Sequence, residues 1–477
     1  MPKNEDKDTE IPLFNLLWPI YILTGLFSMG FSGIYILVVP LSSLFWPGEP
    51  FHALEMGILI TSMLWGVSLS GMIFGRFIDS HKVNRIRILF MVAIFRGFCL
   101  IMLSFATVGK GMETWWYFYL FSTIYSLFGG GNYPNVASLS HDIVPKKQRS
   151  RFFGIHSIFR NSFQLIGFVI SGLLIQIGYW RIFFICNGLA LIILGVIMII
   201  KIPEPKRGAQ RDELTHILAD GSIQYDFKID KKMMKKTMLS KTNLVALVEG
   251  IFTSVFLGSL TILILPYLQT PPHNISPFAT GVFLAIFGLS GGLIGQILLA
   301  RLSDKLANEK IIVRLYFMIL ALIIGSISFV FIFFLPLPKL SIEEGKDLSL
   351  LFSFPVIWTF GIIHLSSRAI SSLYEINQPP VLQEINLPEA QGQIVAWNRL
   401  LESIGFGAGP LIAGFLIFFT GYDYQLIALL IGIIAIPGII LWFLALRYFE
   451  EDHRIIKEIL AERAEILESR LKNKKKI

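Results

Sequence analysis

About twelve apolar runs, each near the length a helix needs to cross a bilayer, divide this chain of 477 residues. A hydrocarbon core of ~30 Å takes ~20 helical residues. Backbone polar groups find no water there, so only helices or a closed barrel can span it. The runs are continuous instead of alternating, which selects helices. Soluble domains carry about a quarter charged residues; here the charged share is 16% against 54% hydrophobic, which excludes a water-soluble globular domain. The runs begin near Leu16, Glu55, Arg87, Thr114, Arg151 and Trp180, and again near Thr242, Gly281, Lys310, Leu351, Gln393 and Tyr424. The first is too long for a signal-peptide core and no small-residue cleavage site follows it, so it counts as a span. The expectation is an all-α membrane protein of twelve transmembrane helices in two pseudo-symmetric six-helix halves, residues 15–203 and 242–447. Around them lie an N-terminal tail (1–14), a polar basic linker (204–241) with KKMMKK at 231–236, and a tail (448–477). In that last tail Ile455, Ile456, Ile459, Leu460, Leu467 and Leu471 recur at helical spacing among charges, the pattern of an amphipathic helix resting on the protein or the lipid surface.

Lysine and arginine set the orientation. Lys82, Arg85, Arg87, Lys146, Lys147, Arg149, Arg151, the basic linker, Arg301, Lys305 and Lys310 follow the even-numbered spans, whereas the alternate loops hold only Lys110, Arg181, Lys339 and Lys346. Both termini are therefore expected in the cytoplasm, with the chain in the cell membrane. The loop at 379–392 departs from the rule with Glu384 and Glu389 and no base. Cys99 and Cys186 both fall inside apolar runs, so neither a disulfide framework nor a metal cluster is implied. The formal charge of +8 follows membrane topology and does not call for nucleic acid. No cofactor is implied, and a monomer in lipid is expected.

Two loops in matching places of the halves share a pattern. GRFID ends at Asp79 and is followed by Lys82, Arg85 and Arg87; ARLSDK carries Arg301, Asp304 and Lys305, then Lys310. The aspartates lie 225 residues apart, each between the second and third runs of its half. Pro134, Asp142, Pro145 and Arg149 form a further pattern, and Trp180, Arg181, Phe183 and Phe184 another.

Together with the twelve runs, these motifs resemble the major facilitator superfamily over nearly the whole chain. Gly75 and Asp79 match its signature loop, with Ser80, Lys82 and Val83 where Arg, Gly and Arg are usual, and Ala300 stands where the second copy usually has Gly. The stretch NQPPVLQEINLPEAQG (377–392) leading to Asn398 is similar to spinster-like members, which carry lipid-like or amphipathic substrates. The resemblance implies the major facilitator fold and transport by alternating access of two halves. It gives Gly75, Asp79, Arg85, Asp304, Lys305, Asp142 and Arg149 gating roles. An aspartate at a helix end can accept from exposed amides at the start of a neighbouring helix, with ~0.3–1 kcal/mol from the dipole; the fifth and eleventh helices are the expected neighbours.

A charge at mid-bilayer costs ~2.5–3.5 kcal/mol, so each needs a reason. In the tenth run His364, Arg368, Ser371 and Glu375 project within about 60° of one another, one polar stripe on an apolar helix. The first run carries an uncharged stripe of Tyr21, Thr24, Ser28, Ser32 and Tyr35. In this fold both helices line the central cavity, so these residues are the expected substrate site. The eleventh run adds Arg399 and Glu402 one turn apart. At ~1.5 Å per residue, Arg368–Glu402 and Arg399–Glu375 are the expected pairs, which would lower the cost of each charge and leave less for substrate. Proton-coupling candidates are Glu249, without an obvious partner in its own helix, then Glu402, with Arg399, His156, Arg160 and the second histidine, His364, beside them. Arg96, near the middle of the third run, has no evident partner. Gly129, Gly130 and Gly131 lie inside a run without the Lys-Ser or Lys-Thr of a phosphate loop, so close packing or a bend is their expected use.

A membrane enzyme would need an activated nucleophile or paired acids at metal spacing, and neither is present, so the chain is not expected to be an enzyme. A secondary transporter of a small organic solute is the main expectation, with proton coupling open. Transport of an amphipathic lipid or lysolipid is the alternative within transport. From another class, a membrane receptor or scaffold would keep the fold without moving a solute.

Overall fold

The computed structural model describes residues 13–80, 83–144, 148–204, 230–307, 310–388 and 390–474, and the regular structure among them is helical throughout. The first eight helices are α1 (Leu13–Ile36), α2 (Val38–Phe45), α3 (Ala53–Ser80), α4 (Arg85–Ser104), α5 (Met112–Gly129), α6 (Asn132–Ile143), α7 (Arg149–Gln176) and α8 (Trp180–Lys201). The basic linker contributes α9 (Lys231–Lys236). Then come α10 (Lys241–Gln269), α11 (Pro277–Ala307), α12 (Val313–Ile332), α13 (Leu348–Ser353), α14 (Pro355–Glu384), α15 (Gln391–Thr420) and α16 (Tyr424–Lys474). Ten of these are long and apolar enough to cross a membrane. The expected fourth and tenth spans are helices outside that ten. α5 is rich in Trp, Tyr and Ser and stops at Gly129, and α14 carries charges in its middle.

The chain divides into two compact units, Met1–Pro50 with Ser62–Asp220, and Phe51–Thr61 with Gly221–Ile477. Within each, glycine decides where helices cross. Apolar attraction between helices is weak in lipid, so close backbone approach has to supply the packing. In the first unit Gly97 and Gly188 face each other, and a Cβ on either would stand 2.6 Å from the other's carbonyl oxygen; this joins α4 to α8. Gly25 lies under the Phe163 ring, 2.7 Å from such a Cβ, and joins α1 to α7. Gly130 sits on the backbone of α3 at Val67 and Gly71, so the three-glycine stretch serves both expected uses: it packs, and it marks the break between α5 and α6. In the second unit Gly258 and Gly409 bring α10 and α15 into backbone contact, with Gly405 against Ile251. Gly291 and Gly295 do the same for α11 against Leu365 and Ala369 of α14. α11 also holds two π-helical turns, Leu284–Leu289 and Gly295–Leu299, which reset the direction of its side chains.

Helix starts are capped by polar groups, as free amides require. Asn84 accepts from Arg87 N at 2.8 Å, and Glu204 from Ile86 N at 3.1 Å, at the start of α4. Asp452 accepts from Thr242 N at 2.8 Å at the start of α10. That aspartate belongs to α16, which runs unbroken for 51 residues through the last apolar run and on into the charged stretch that follows it. Its Ile456 and Ile459 are buried against Leu387 and pack on Met233 of α9, so this part of the tail rests on protein.

Gly409→Val should be strongly destabilising, because its side chain would enter the backbone of Gly258 and Ser259; overpacking costs about 1–3 kcal/mol or more. Gly154→Ala, which meets nothing within 4 Å, is the control. Thermal unfolding in detergent should separate them clearly, and equal melting temperatures would refute the packing role.

Candidate functional site

The expected stripe on α14 is split between several surroundings. His364 is buried, beside Gly288 and 6.4 Å from the Phe283 ring, with its Nδ1 lacking a partner among the described residues. Ser371 turns toward Gly325 of α12. Arg368 and Glu375 are exposed. Seven residues apart, they sit about 20° from one another around the helix. The exposed apolar Trp358 and Ile362 point roughly 80–120° away. α14 therefore has an apolar exposed face and a separate charged one.

The α10–α15 crossing holds the second group. Arg399 Nη1 donates to Glu402 at 3.2 Å, and Asn398 Nδ2 donates to its other oxygen at 2.8 Å. The expected pairs Arg368–Glu402 and Arg399–Glu375 are thus corrected. Three residues along the same helix is within easy reach of an arginine, so Glu402 takes its own neighbour. Glu402 lies against Gly250, one residue from Glu249. Glu249 is completely buried. Tyr374 OH donates to it at 2.7 Å, Gln378 Nε2 donates to that hydroxyl at 2.8 Å, and Thr253 donates from within α10. The lack of a partner in its own helix is corrected by Thr253, one turn on. Among the described residues no cation stands with its hydrogen-bonding partners; uncharged side chains hold it at the end of a chain of donors.

In the first unit the polar stripe of α1 is turned onto α7 instead of an open face. Tyr21 is fully buried, 5.4 Å from the Phe152 ring and 5.8 Å from that of Phe159. Thr24 meets His156 Nε2 at 3.1 Å and accepts from Asn132 Nδ2 at 3.5 Å. Ser32 lies against Gly167, Tyr35 is 6.2 Å from the Phe168 ring, and Ser28 is half-buried. The crossing of α1 and α7 consumes the hydroxyls that a one-dimensional stripe assigns to a cavity. Arg160 is exposed, with Asn161 as its hydrogen-bond acceptor at 3.4 Å.

Arg96 now has surroundings. It is buried, with its guanidinium carbon 4.1 Å from the Phe27 ring centre and 4.0 Å from that of Tyr125. Tyr125 OH donates to Phe27 O at 2.9 Å, which fixes both rings. The side chain points inward from α4, toward Gly129 of α5. Two cation–π faces replace a carboxylate. The sequence contains the sign of this: from residue 56 to 203 the only acids are Asp79, Glu113 and Asp142, all at helix ends. Arg96 is about 16 Å along α4 from its start, so aromatic rings are what remains to hold it.

The loop motifs serve their own units. Asp304 accepts from Arg314 Nη2 at 2.8 Å, and Arg314 Nη1 donates to Asn377 at 3.0 Å. An arginine ten residues on thus occupies the carboxylate expected to accept helix amides. Lys305 is exposed. Arg85, expected in the gate, is buried within its unit, donating to Glu204 at 2.7 Å and to Ser138 Oγ at 3.0 Å. Gly75 faces Pro134. The side chains of Asp79, Asp142 and Arg149, and the whole of Lys82, lie outside the described residues, as do residues 1–12 and 205–229. Among the described residues no three His, Cys, Asp or Glu side chains gather as metal ligands would.

Arg96→Lys should destabilise the protein by about 1–3 kcal/mol, since a point charge keeps the cost of burial and loses two stacked faces. Arg96→Met removes the charge with its burial cost and should melt no lower than Arg96→Lys. Melting temperatures in the reverse order would refute the aromatic clamp.

The chain is similar to several known proteins along most of its length. It is 24% identical over 463 residues to a benzoate transport protein of Acinetobacter baylyi, covering 90% of this chain and 89% of that one. Among solved structures it matches a bacterial homolog of the human lysosomal transporter Spinster, with a TM-score of 0.66, 16% identity, and 92% and 97% of the two chains covered. The nucleoside transporter NupG gives 0.61 at 13% identity over 91% and 99%. A D-xylose-proton symporter gives 0.61 at 13% over 91% and 98%. The family model of the Major Facilitator Superfamily matches residues 17–375, three quarters of the chain, and this protein therefore belongs to that family of membrane transporters and is not an enzyme.

Proposed function

We propose that this secondary solute transporter moves a small organic anion together with protons by alternating access. Its halves would be two pseudo-repeats of six spans with both termini in the cytoplasm. The helix pairing supports the repeat: the first and fifth spans cross in one unit (α1 with α7), the seventh and eleventh in the other (α10 with α15). The lysine and arginine bias of the loops supports the orientation.

One observation carries the coupling. Among the described residues Glu249 is the carboxyl that is wholly buried, about 12 Å inside its helix, and its hydrogen-bond partners there are Thr253 and Tyr374. A carboxylate at that depth costs several kcal/mol, and taking up a proton discharges it. Glu402 lies one step away behind Gly250, held by Arg399.

The substrate class rests on Arg368. Its guanidinium is exposed on the charged face of α14, and a guanidinium left toward lipid would be costly, so that face is read as facing water. A fixed cation there suits a carboxylate, which it can bind through two parallel hydrogen bonds. The benzoate transport protein it resembles carries such an anion by name. Glu375, on the same face, excludes a dianion by repulsion.

Proteoliposomes given an acid-outside gradient and labelled benzoate provide the test. Wild type should accumulate label, more so as the outside is acidified. Glu249→Gln should lose gradient-driven accumulation and keep exchange between labelled and unlabelled pools. Arg368→Lys should slow both by about tenfold, the loss of one charge-assisted hydrogen bond. Uptake by wild type that ignores the proton gradient would refute coupling, and an unimpaired Arg368→Gln would refute the anion site.

A further inference from the structure

Where α16 leaves the last span it borders a gap on one side, although Asp452 and Ile456 hold it to its unit on another. Phe449, His453 and Lys457 lie along one side of it, four residues apart. With the segment before α12 and the end of α14 they bound an open cavity of about 580 Å³. Pockets for small ligands occupy ~300–1,000 Å³. Ile311, Ile312 and Phe449 supply apolar wall beside the charged groups.

Most of the charge around this cavity is already committed. Arg314 serves Asp304 and Asn377 through its two terminal nitrogens, although its Nε–H, buried at the cavity wall, has no acceptor among the described residues. His453 leans on Glu384 at 3.5 Å. What remains uncommitted is Lys310 from the loop and Lys457 from α16, both exposed and unpaired among the described residues, against one free carboxylate, Glu450. Two flexible ammonium groups from two elements therefore face one opening, with an apolar wall next to them and a donor-only arginine edge behind. That set fits an oxyanion joined to something greasy. The cavity lies beside residues 449–457, where the apolar run that opens α16 gives way to the charged stretch from Glu450, the level at which lipid headgroups sit.

We propose that this cavity is a phosphate-ester site, held by Lys310 and Lys457, and that its occupant is the headgroup of an anionic phospholipid. It is separate from the transport site proposed above and does not depend on proton coupling or on the substrate. Occupancy would bridge the tail of α16 to the loop before α12 and fill the space between them.

The test uses the delipidated full-length protein in detergent, melted in the presence of dihexanoyl phosphatidylglycerol, dihexanoyl phosphatidylcholine, glycerol 3-phosphate or inorganic phosphate. Phosphatidylglycerol should raise the melting temperature saturably, and phosphatidylcholine should not. Lys310→Gln with Lys457→Gln should weaken that effect by about tenfold or more while leaving the ligand-free melting temperature in place, since neither lysine has a partner to lose. Glu450→Gln should tighten binding, a sign that loss of folding cannot mimic. If glycerol 3-phosphate and inorganic phosphate act as strongly as the lipid, the phosphate site stands and its source is soluble. If phosphatidylglycerol has no effect, or the double variant binds it as wild type does, the proposal falls.

Discussion

Backbone contact at glycine is the interaction on which the rest of this structure depends. Where Gly258 meets Gly409, and Gly405 meets Ile251, α10 and α15 come close enough that side chains one turn away share a single enclosure. Glu249 and Glu402 are near each other for that reason and for no reason visible within either helix. The same holds for α11 and α14. Gly291 and Gly295 allow the approach, Gly288 leaves room for His364, and Arg368 remains on the rim. Larger residues at these points would separate the helices, and the polar groups would then face lipid singly, at the full cost of an unsatisfied group.

The two units handle buried polarity differently. The second pairs unlike charges within reach along the chain, Arg399 with Glu402 and Arg314 with Asp304, and surrounds the enclosed Glu249 with neutral donors. The first has no acid in its interior stretch of sequence and turns to aromatic rings for Arg96 and to a histidine and an asparagine for Thr24. Its charge at depth is therefore of one sign.

Much of the fold was legible because the bilayer writes it into hydropathy. The twelve runs start within four residues of the helices α1, α3, α4, α5, α7, α8, α10, α11, α12, α14, α15 and α16. Less of the candidate site was. Helical spacing placed His364, Arg368, Ser371 and Glu375 on one stripe, yet a helix between three neighbours divides a 60° arc among them, and only Arg368 and Glu375 stayed exposed. Spacing cannot say which neighbour lies on which side. The stripe on α1 likewise lies against a neighbour, since Gly25 and Gly167 draw α7 over Tyr21, Thr24 and Ser32. The pairing of Arg399 with Glu402 was within reach of the sequence, because residues three apart on a helix meet before residues on two helices do. Arg96 needed the opposite kind of reading, from what was missing: with no acid at its depth, its partners had to be rings.

The unbroken course of α16 has a mechanical side. A helix of 51 residues is about 77 Å long, more than twice the thickness of the hydrocarbon core. With no loop between span and tail, a tilt of the span is not absorbed at the membrane surface. Rotation by about 5° around the middle of such a rod carries its far end about 3 Å. The tail grips the start of α10 through Asp452 and the loop at Leu387 through Ile456 and Ile459. It thus works as a lever pivoted near its middle, so that a tilt of the span inside the bilayer reappears at the same angle outside it.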